Sequence, residues 1–314
     1  MSCAVRRIVV ELAIGLAFIG GVVRPHESFA AEPVAVGSFS DSSKDSRYGP
    51  LSLFDHRSMY GKGAFPEPFL IDSSDLEVNE IRFDWQHRPG KGHVGDFGRV
   101  EFEKGFGLLT LELEVPYERD TGRIFSPITR RTTTTRAQGV GNVSVSARHP
   151  VYQFVSKDEV IDDTFGVAIE VGIPTNSPVS KHTEIAPKLF NDLRWGEHFT
   201  LQTVLGYSFL RGSGEEGGAQ VFEYGMVLGY SISHADLPLP GIQRLVPVFE
   251  LSGETDMNHG AGHHLLFGNA ALRINLRAIG IVQPRLGVGY IFPIDKGARD
   301  ELRWGIYTSL VFEF

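Results

Sequence analysis

The chain has 314 residues, 42% of them hydrophobic, a single cysteine and a formal charge of −8 at pH 7. The acidity, with no basic helix or recognition motif, argues against a nucleic-acid partner. No uninterrupted run of 18 apolar residues is present to make a transmembrane helix.

Residues 1–30 read as a secretory signal for the Sec pathway. Arg6 and Arg7 form its basic start, and Ile8 to Val23 is apolar apart from Glu11. Ser28-Phe29-Ala30 is a small-x-small cleavage site before Ala31. An uncleaved membrane anchor is the rival reading; the short run and the cleavage site favour removal. Cleavage takes away Cys3, three arginines and two glutamates, which moves the charge from −8 to −9. The mature chain then has no cysteine to form a disulfide. Residues 31–75 are rich in Ser, Gly, Pro and Asp and show little periodicity. They read as a periplasmic N-terminal extension, partly irregular.

From Leu76 the pattern changes to segments that alternate apolar and polar residues between clusters of Gly, Pro, Asp and Asn. In 222–232 one face carries Phe222, Tyr224, Met226, Leu228, Tyr230 and Ile232, and the other Glu223, Gly225, Val227, Gly229 and Ser231. A period of two means strands with one apolar and one polar face. The predicted strands are 76–87, 98–105, 108–118, 141–154, 163–173, 186–195, 198–210, 219–233, 242–254, 264–276, 280–292 and 300–314. Short turns fall at 105–107, 196–198 and 277–280, and the longest polar loop at 119–140.

A soluble sandwich or barrel turns the apolar faces inward; an outer-membrane barrel turns them outward. The export signal, the lack of cysteine, the even strand count and the Gly- and Ser-rich polar faces favour the membrane. Aromatics also gather near strand ends, among them Trp85, Tyr117, Trp195, Tyr230, Tyr290 and Trp304, as in an interfacial girdle. Residues 76–314 are therefore expected to form an all-β, antiparallel, up-and-down transmembrane β-barrel of about twelve strands in the outer membrane. The chain ends "SLVFEF". Phe312 and Phe314 resemble the aromatic-x-Phe recognition signal of bacterial outer-membrane barrels, with Ser309 where glycine is usual. The partners this implies are the barrel insertion machinery and outer-membrane lipid.

Three blocks resemble the outer-membrane barrel family named for the MetA pathway of phenol degradation. "GRVEFEKGFGLLTLELEVPYER" (98–119) is similar to its first hairpin. "GVGNVSVSARHPVY" (139–152) resembles its G-x-G-[DN]-V strand, and "AIEVGIPTN" (168–176) its strand ending G-x-P-T. The resemblance implies a small barrel that passes hydrophobic or aromatic compounds. None of these motifs is catalytic.

Twelve strands lie between the eight of a filled barrel and the sixteen of a water channel, so the inward side chains decide what passes. The alternation turns Arg82, Glu101, Glu112, Glu114, Arg273, Arg285 and Arg303 towards the lumen. The short turns set Glu101 opposite Glu112, Arg99 opposite Glu114 and Arg273 opposite Arg285, giving an acidic wall facing a basic one. Such walls make a constriction with a transverse field, or pair to plug the barrel. Asp256, His259, His263 and His264 are weak metal candidates in a polar loop, and no cofactor is expected. Arg130, Arg131 and Arg136 in "RRTTTTR" are candidates for lipopolysaccharide phosphate. The Asn-His and serine blocks of a phospholipase barrel are absent, so no enzyme is expected. The functional reading is uptake of a small hydrophobic or aromatic solute; the alternative is a structural or adhesive barrel with a plugged lumen.

If the terminal aromatic is read during insertion, Phe314→Ser should lower the yield of folded, heat-modifiable barrel far more than a substitution in a long loop. Equal yields of the two would reduce Phe314 to one more lipid-facing side chain.

Overall fold

The computed structural model describes residues 68–71, 79–106, 109–126, 131–158, 160–212, 218–258 and 264–314. The expected signal sequence, with Cys3, and most of the expected extension lie outside these residues. Fourteen antiparallel strands form one sheet. They are β1 (Glu80–Pro89), β2 (His93–Phe106), β3 (Leu109–Ser126), β4 (Arg131–Val140), β5 (Val143–Val155), β6 (Ile161–Ile173) and β7 (His182–Trp195). There follow β8 (Phe199–Gly212), β9 (Gln220–Tyr230), β10 (Ile232–Ser233), β11 (Ile242–Asp256), β12 (His264–Leu276), β13 (Gln283–Pro293) and β14 (Gly305–Glu313). β4 and β5 are one stave interrupted at Gly141 and Asn142, and β9 and β10 are another, so the wall has 12 staves.

The last strand closes the wall. β14 pairs with β1 from Glu80↔Glu313 to His87↔Ile306, and Phe314 N–H donates to the Asn79 carbonyl at 2.8 Å. Closure leaves no edge, which hydrocarbon requires because unpaired backbone groups there have no water to turn to.

The polarity is inverted relative to a soluble barrel. Phe83, Trp85, Leu113, Val145, Val167, Leu189, Leu205, Leu228, Tyr290 and Ile306 are exposed outward. Arg82, Asp84, Glu101, Glu103, Glu112, Arg148, Arg194, Gln202, Glu250, Asn269 and Arg273 are buried inward. Outward aromatics meet near the rims: Phe199 and Tyr230 with centroids 4.8 Å apart, Tyr207 and Phe209 4.9 Å, His87 and Trp304 5.8 Å. Among the described residues no helix is long and apolar enough to cross a membrane; the chain crosses with strands.

Three local expectations are corrected. The polar stretch 119–140 is not an open loop. β3 runs on to Ser126 and pairs with β4 from Tyr117↔Val140 to Ser126↔Arg131, because the threonine run suits a pleated ladder. Ser177 Oγ and Thr175 Oγ1 each donate to the Val140 carbonyl at 2.7 Å and brace its base. The first two strands meet in a tight turn at 90–92, so β2 starts at His93 rather than near residue 98. Residues 296–301 are a short helix, α1 (Lys296–Glu301), whose first turn is capped by Asp295 accepting from Ala298 N–H at 2.8 Å. The alternation of the last strand therefore begins at Gly305, not at 300.

Leu189 and Val167 face each other at the middle of β7 and β6 and point outward. Leu189→Arg should lower unfolding stability in bilayers by about 2–4 kcal/mol, measured by urea titration, while Arg136→Ala on the β3–β4 hairpin should leave it unchanged.

Candidate functional site: a lumen occupied by Pro68–Ile71

Inside the barrel two sectors differ in chemistry. One, on β1 to β3 and β5, is a charged cluster. Arg82 Nε lies 2.7 Å from Asp84 and its Nη1 3.9 Å from Glu101. Arg99 reaches Asp84 at 2.6 Å, Glu101 at 3.4 Å and Glu114 at 2.7 Å. Arg148 pairs with both Glu103 and Glu112, and Ser146 Oγ donates to Glu112 at 3.0 Å. Charges this buried persist only when paired.

Six of the seven predicted lumen residues point inward: Arg82, Glu101, Glu112, Glu114, Arg273 and Arg285. Arg303 does not. It is exposed beyond α1, with its N–H donating to the Pro89 carbonyl at 2.9 Å, because the helix cuts off the alternation that placed it. The pairings also shift by two residues, which preserves facing: Glu101 opposes Glu114, Glu103 opposes Glu112, Arg99 opposes Pro116, and Arg285 opposes Asn275 rather than Arg273. The turns are wider than expected, with Phe106↔Leu109 the last pair.

The expected confrontation of acidic and basic walls is therefore replaced by local neutralisation. The acids of β2 and β3 meet Arg82, Arg99 and Arg148 on their own and neighbouring strands. Arg285 pairs with Glu313 on β14. Glu101, Glu112 and Glu114 bring carboxylate oxygens close enough together to hold a cation. Arg99 and Arg148 engage all three, and neither the cluster nor its surroundings singles out a metal.

The second sector, on β9 and β11 to β14, combines apolar side chains with a few buried polar ones and receives a segment of the expected N-terminal extension. Pro68–Ile71 lies within the lumen. Phe69 is 2% exposed and Ile71 6%, and they pack with Val227, Val246, Val248, Ile291, Leu302 and Tyr307. The Pro68 carbonyl accepts from Arg82 Nη2 at 2.6 Å and from Arg273 Nη2 at 2.8 Å. Phe69 N–H and Leu70 N–H donate to the two oxygens of Glu250 at 2.6 and 3.2 Å. Asn269 Nδ2 donates to the same carboxylate at 2.6 Å. The Phe69 ring lies under the Arg273 guanidinium, 3.9 Å from its centroid, and edge-on to Tyr307 at 5.2 Å. A side chain at Gly225 would collide with Ile71, and one at Gly287 with Phe69 and Arg273; the wall is hollowed for the segment.

Glu250 and Tyr307 were not singled out from sequence. The signal was available: Val227, Tyr307 and Val311 interrupt inward rows that are otherwise small or polar, and "PFLI" is an apolar word in a polar extension.

Above the segment, at the rim opposite the C-terminus, is a vestibule of about 340 Å³. Leu70, Phe97, Phe267, Ile291 and Leu302 make its apolar part; Arg88, Arg119, Glu118 and Glu254 are among its charged lining. At the same rim Lys91 donates to Asp300 at 2.5 Å, which holds that exposed carboxyl below its usual range.

The loop candidates are described only in part. His264 has Tyr224 OH at 3.0 Å from Nε2 and Thr255 Oγ1 at 2.9 Å from Nδ1, so both ring nitrogens are engaged. Asp256 accepts from Asn258 N–H at 2.8 Å. His259, His263 and Arg130 lie outside the described residues, while Arg136 is exposed on β4.

No family model matches the chain, and no curated relative matches it. Among solved structures it is similar to the COG4313 outer membrane channel from Pseudomonas putida F1. The TM-score is 0.52 at 13% identity, over 80% of this chain and 100% of that one. The NanC porin is similar at a TM-score of 0.45 and 11% identity, over 74% and 98% of the two chains. The KdgM porin gives 0.40 and 12%, over 74% and 99%. The first likeness establishes the outer-membrane barrel fold.

Arg148 carries the neutralisation of Glu103 and Glu112. Arg148→Met should cost about 3–5 kcal/mol, measured by denaturant titration of the folded barrel. Adding Glu103→Gln and Glu112→Gln should recover most of the loss; failure to recover it would assign the cost to packing instead.

Proposed function

We propose that the protein is an outer-membrane channel for a small solute, entered from the vestibule and constricted by Pro68–Ile71. The observation that carries the reading is the vestibule ending on that segment inside a closed, outwardly apolar barrel. The wall around the segment is held by its own backbone ladders, whereas the segment touches it only through four hydrogen bonds to wall side chains and the packing of Phe69 and Ile71. A constriction made of chain rather than of wall is a part that can leave without unfolding the barrel.

The apolar floor of Leu70, Phe267, Ile291 and Leu302 supports a solute with a hydrophobic or aromatic part, as does the resemblance to the phenol-pathway barrels. The charged lining calls for a polar end on the same molecule. The vestibule volume of about 340 Å³ suits a compound of small-metabolite size. Lipopolysaccharide contact by Arg136 on the protruding β3–β4 hairpin, and export through the Sec pathway, belong to the same reading of an outer-membrane resident. A second reading, a structural barrel plugged for good, draws on the depth at which Phe69 is buried.

Planar-bilayer recording separates the two. Replacing Pro68–Ile71 by Gly-Ser-Gly-Ser should raise single-channel conductance several-fold over the wild type, and Gly225→Val, which forces Ile71 away, should do so in part. A replaced barrel that stays heat-modifiable but does not conduct would favour the permanent plug.

A further inference from the structure

The contacts of Pro68–Ile71 describe a ligand. A single trans peptide group, between Pro68 and Phe69, is clamped from both sides. Its oxygen receives two guanidiniums, from Arg82 on β1 and Arg273 on β12. Its N–H, pointing the opposite way, meets the carboxylate of Glu250 on β11. The side chain that follows fills a slot between the Arg273 guanidinium and the Tyr307 ring, over the bare backbone of Gly287. Glu250 is 0% exposed and takes two of its three hydrogen bonds from the segment.

Anything that replaces the segment must restore those partners, since a buried carboxylate stripped of donors is costly. It must bring an oxygen acceptor for the two arginines, an N–H or ammonium donor for Glu250, and a large apolar group for the slot. A hydrocarbon brings neither partner, and the single oxygen of a phenol cannot meet the arginines and Glu250 from opposite sides at once. A simple aromatic carboxylate brings the acceptor and the ring but no N–H. An amino acid or dipeptide with a large apolar side chain brings all three.

We propose that the wall site holding Pro68–Ile71 is an exchangeable binding site for such amphoteric, peptide-like solutes, and that their binding displaces the segment and opens the lumen. Leu70 belongs both to the segment and to the apolar part of the vestibule, so a solute in the vestibule already touches the element it displaces. This inference rests on the channel reading for its consequence and on the clamp alone for its chemistry.

The test uses the purified barrel in detergent and in bilayers, with the dipeptide Phe-Leu as probe and Gly-Gly, benzoate and phenol as comparisons. Calorimetric titration should give saturable Phe-Leu binding to the Gly-Ser-Gly-Ser variant, weaker apparent binding to the wild type, where the segment competes, and about tenfold or greater loss in Glu250→Gln within that variant. Gly287→Leu, which crowds the ring slot and the Arg273 guanidinium together, should reduce binding of Phe-Leu at least to that of Gly-Gly. In bilayers, Phe-Leu should increase wild-type conductance. Binding of benzoate or phenol as tight as that of Phe-Leu, or binding unaffected by both substitutions, would overturn the proposal even if the replaced barrel conducts. Binding as expected in a barrel that never conducts would overturn the opening step and, with it, the channel reading, while leaving the site's chemistry standing.

Discussion

Everything in this structure follows from one constraint: a backbone in hydrocarbon must satisfy its own hydrogen bonds. The sheet has to close, and β14 meets β1 over eight residue pairs to do so. Closure then dictates the side chains. Each strand has one face in lipid and one in a narrow lumen, so a period of two in the sequence becomes an inside and an outside. Lipid accepts Leu189 and Val167 without selectivity, whereas the lumen is too tight to hydrate every charge turned into it.

The lumen resolves that tightness in two ways. On β1 to β3 and β5 it packs acids against arginines in neighbouring rows, so Arg82, Arg99 and Arg148 spend their charge within the wall. On β9 and β11 to β14 it sets Val227, Val246, Val248, Ile291 and Tyr307 around a few buried polar groups and seats a piece of the chain's own N-terminal region. Arg82 and Arg273 join the two sectors, since each donates to the Pro68 carbonyl from a different strand. The segment's backbone is thus held from both sectors, and its Phe69 and Ile71 side chains by the second.

Period-two alternation made the staves legible to within a few residues over most of the wall, because lipid penalises a face error in either direction. Facing survived even where pairing was misjudged: Glu101 and Glu114 point inward in either register, since a two-residue slip preserves the face. What alternation cannot reveal is turn width, hence the exchanged partners in the β2–β3 and β12–β13 hairpins. It also cannot see a helix inserted before a strand, and α1 carried Arg303 out of the lumen. The seating of Phe69 was hidden for a different reason. Its partners Glu250, Arg273 and Tyr307 come from three separate strands, and only the closed wall brings them to one place.

That separation has a consequence for how the protein is made. Phe69 meets Glu250 across 181 positions of chain, and Arg82, a neighbour of the segment, meets Tyr307 across 225. Contacts of such sequence separation are the last to reward the chain for its lost loop entropy. The segment is synthesised before any of the strands that receive it, and its seat does not exist until β14 has been laid against β1. A barrel caught before that final pairing has an unfilled lumen and an unfinished wall together. Seating of Phe69 is therefore a late report that the wall is complete, issued by the part of the chain that waited longest for it.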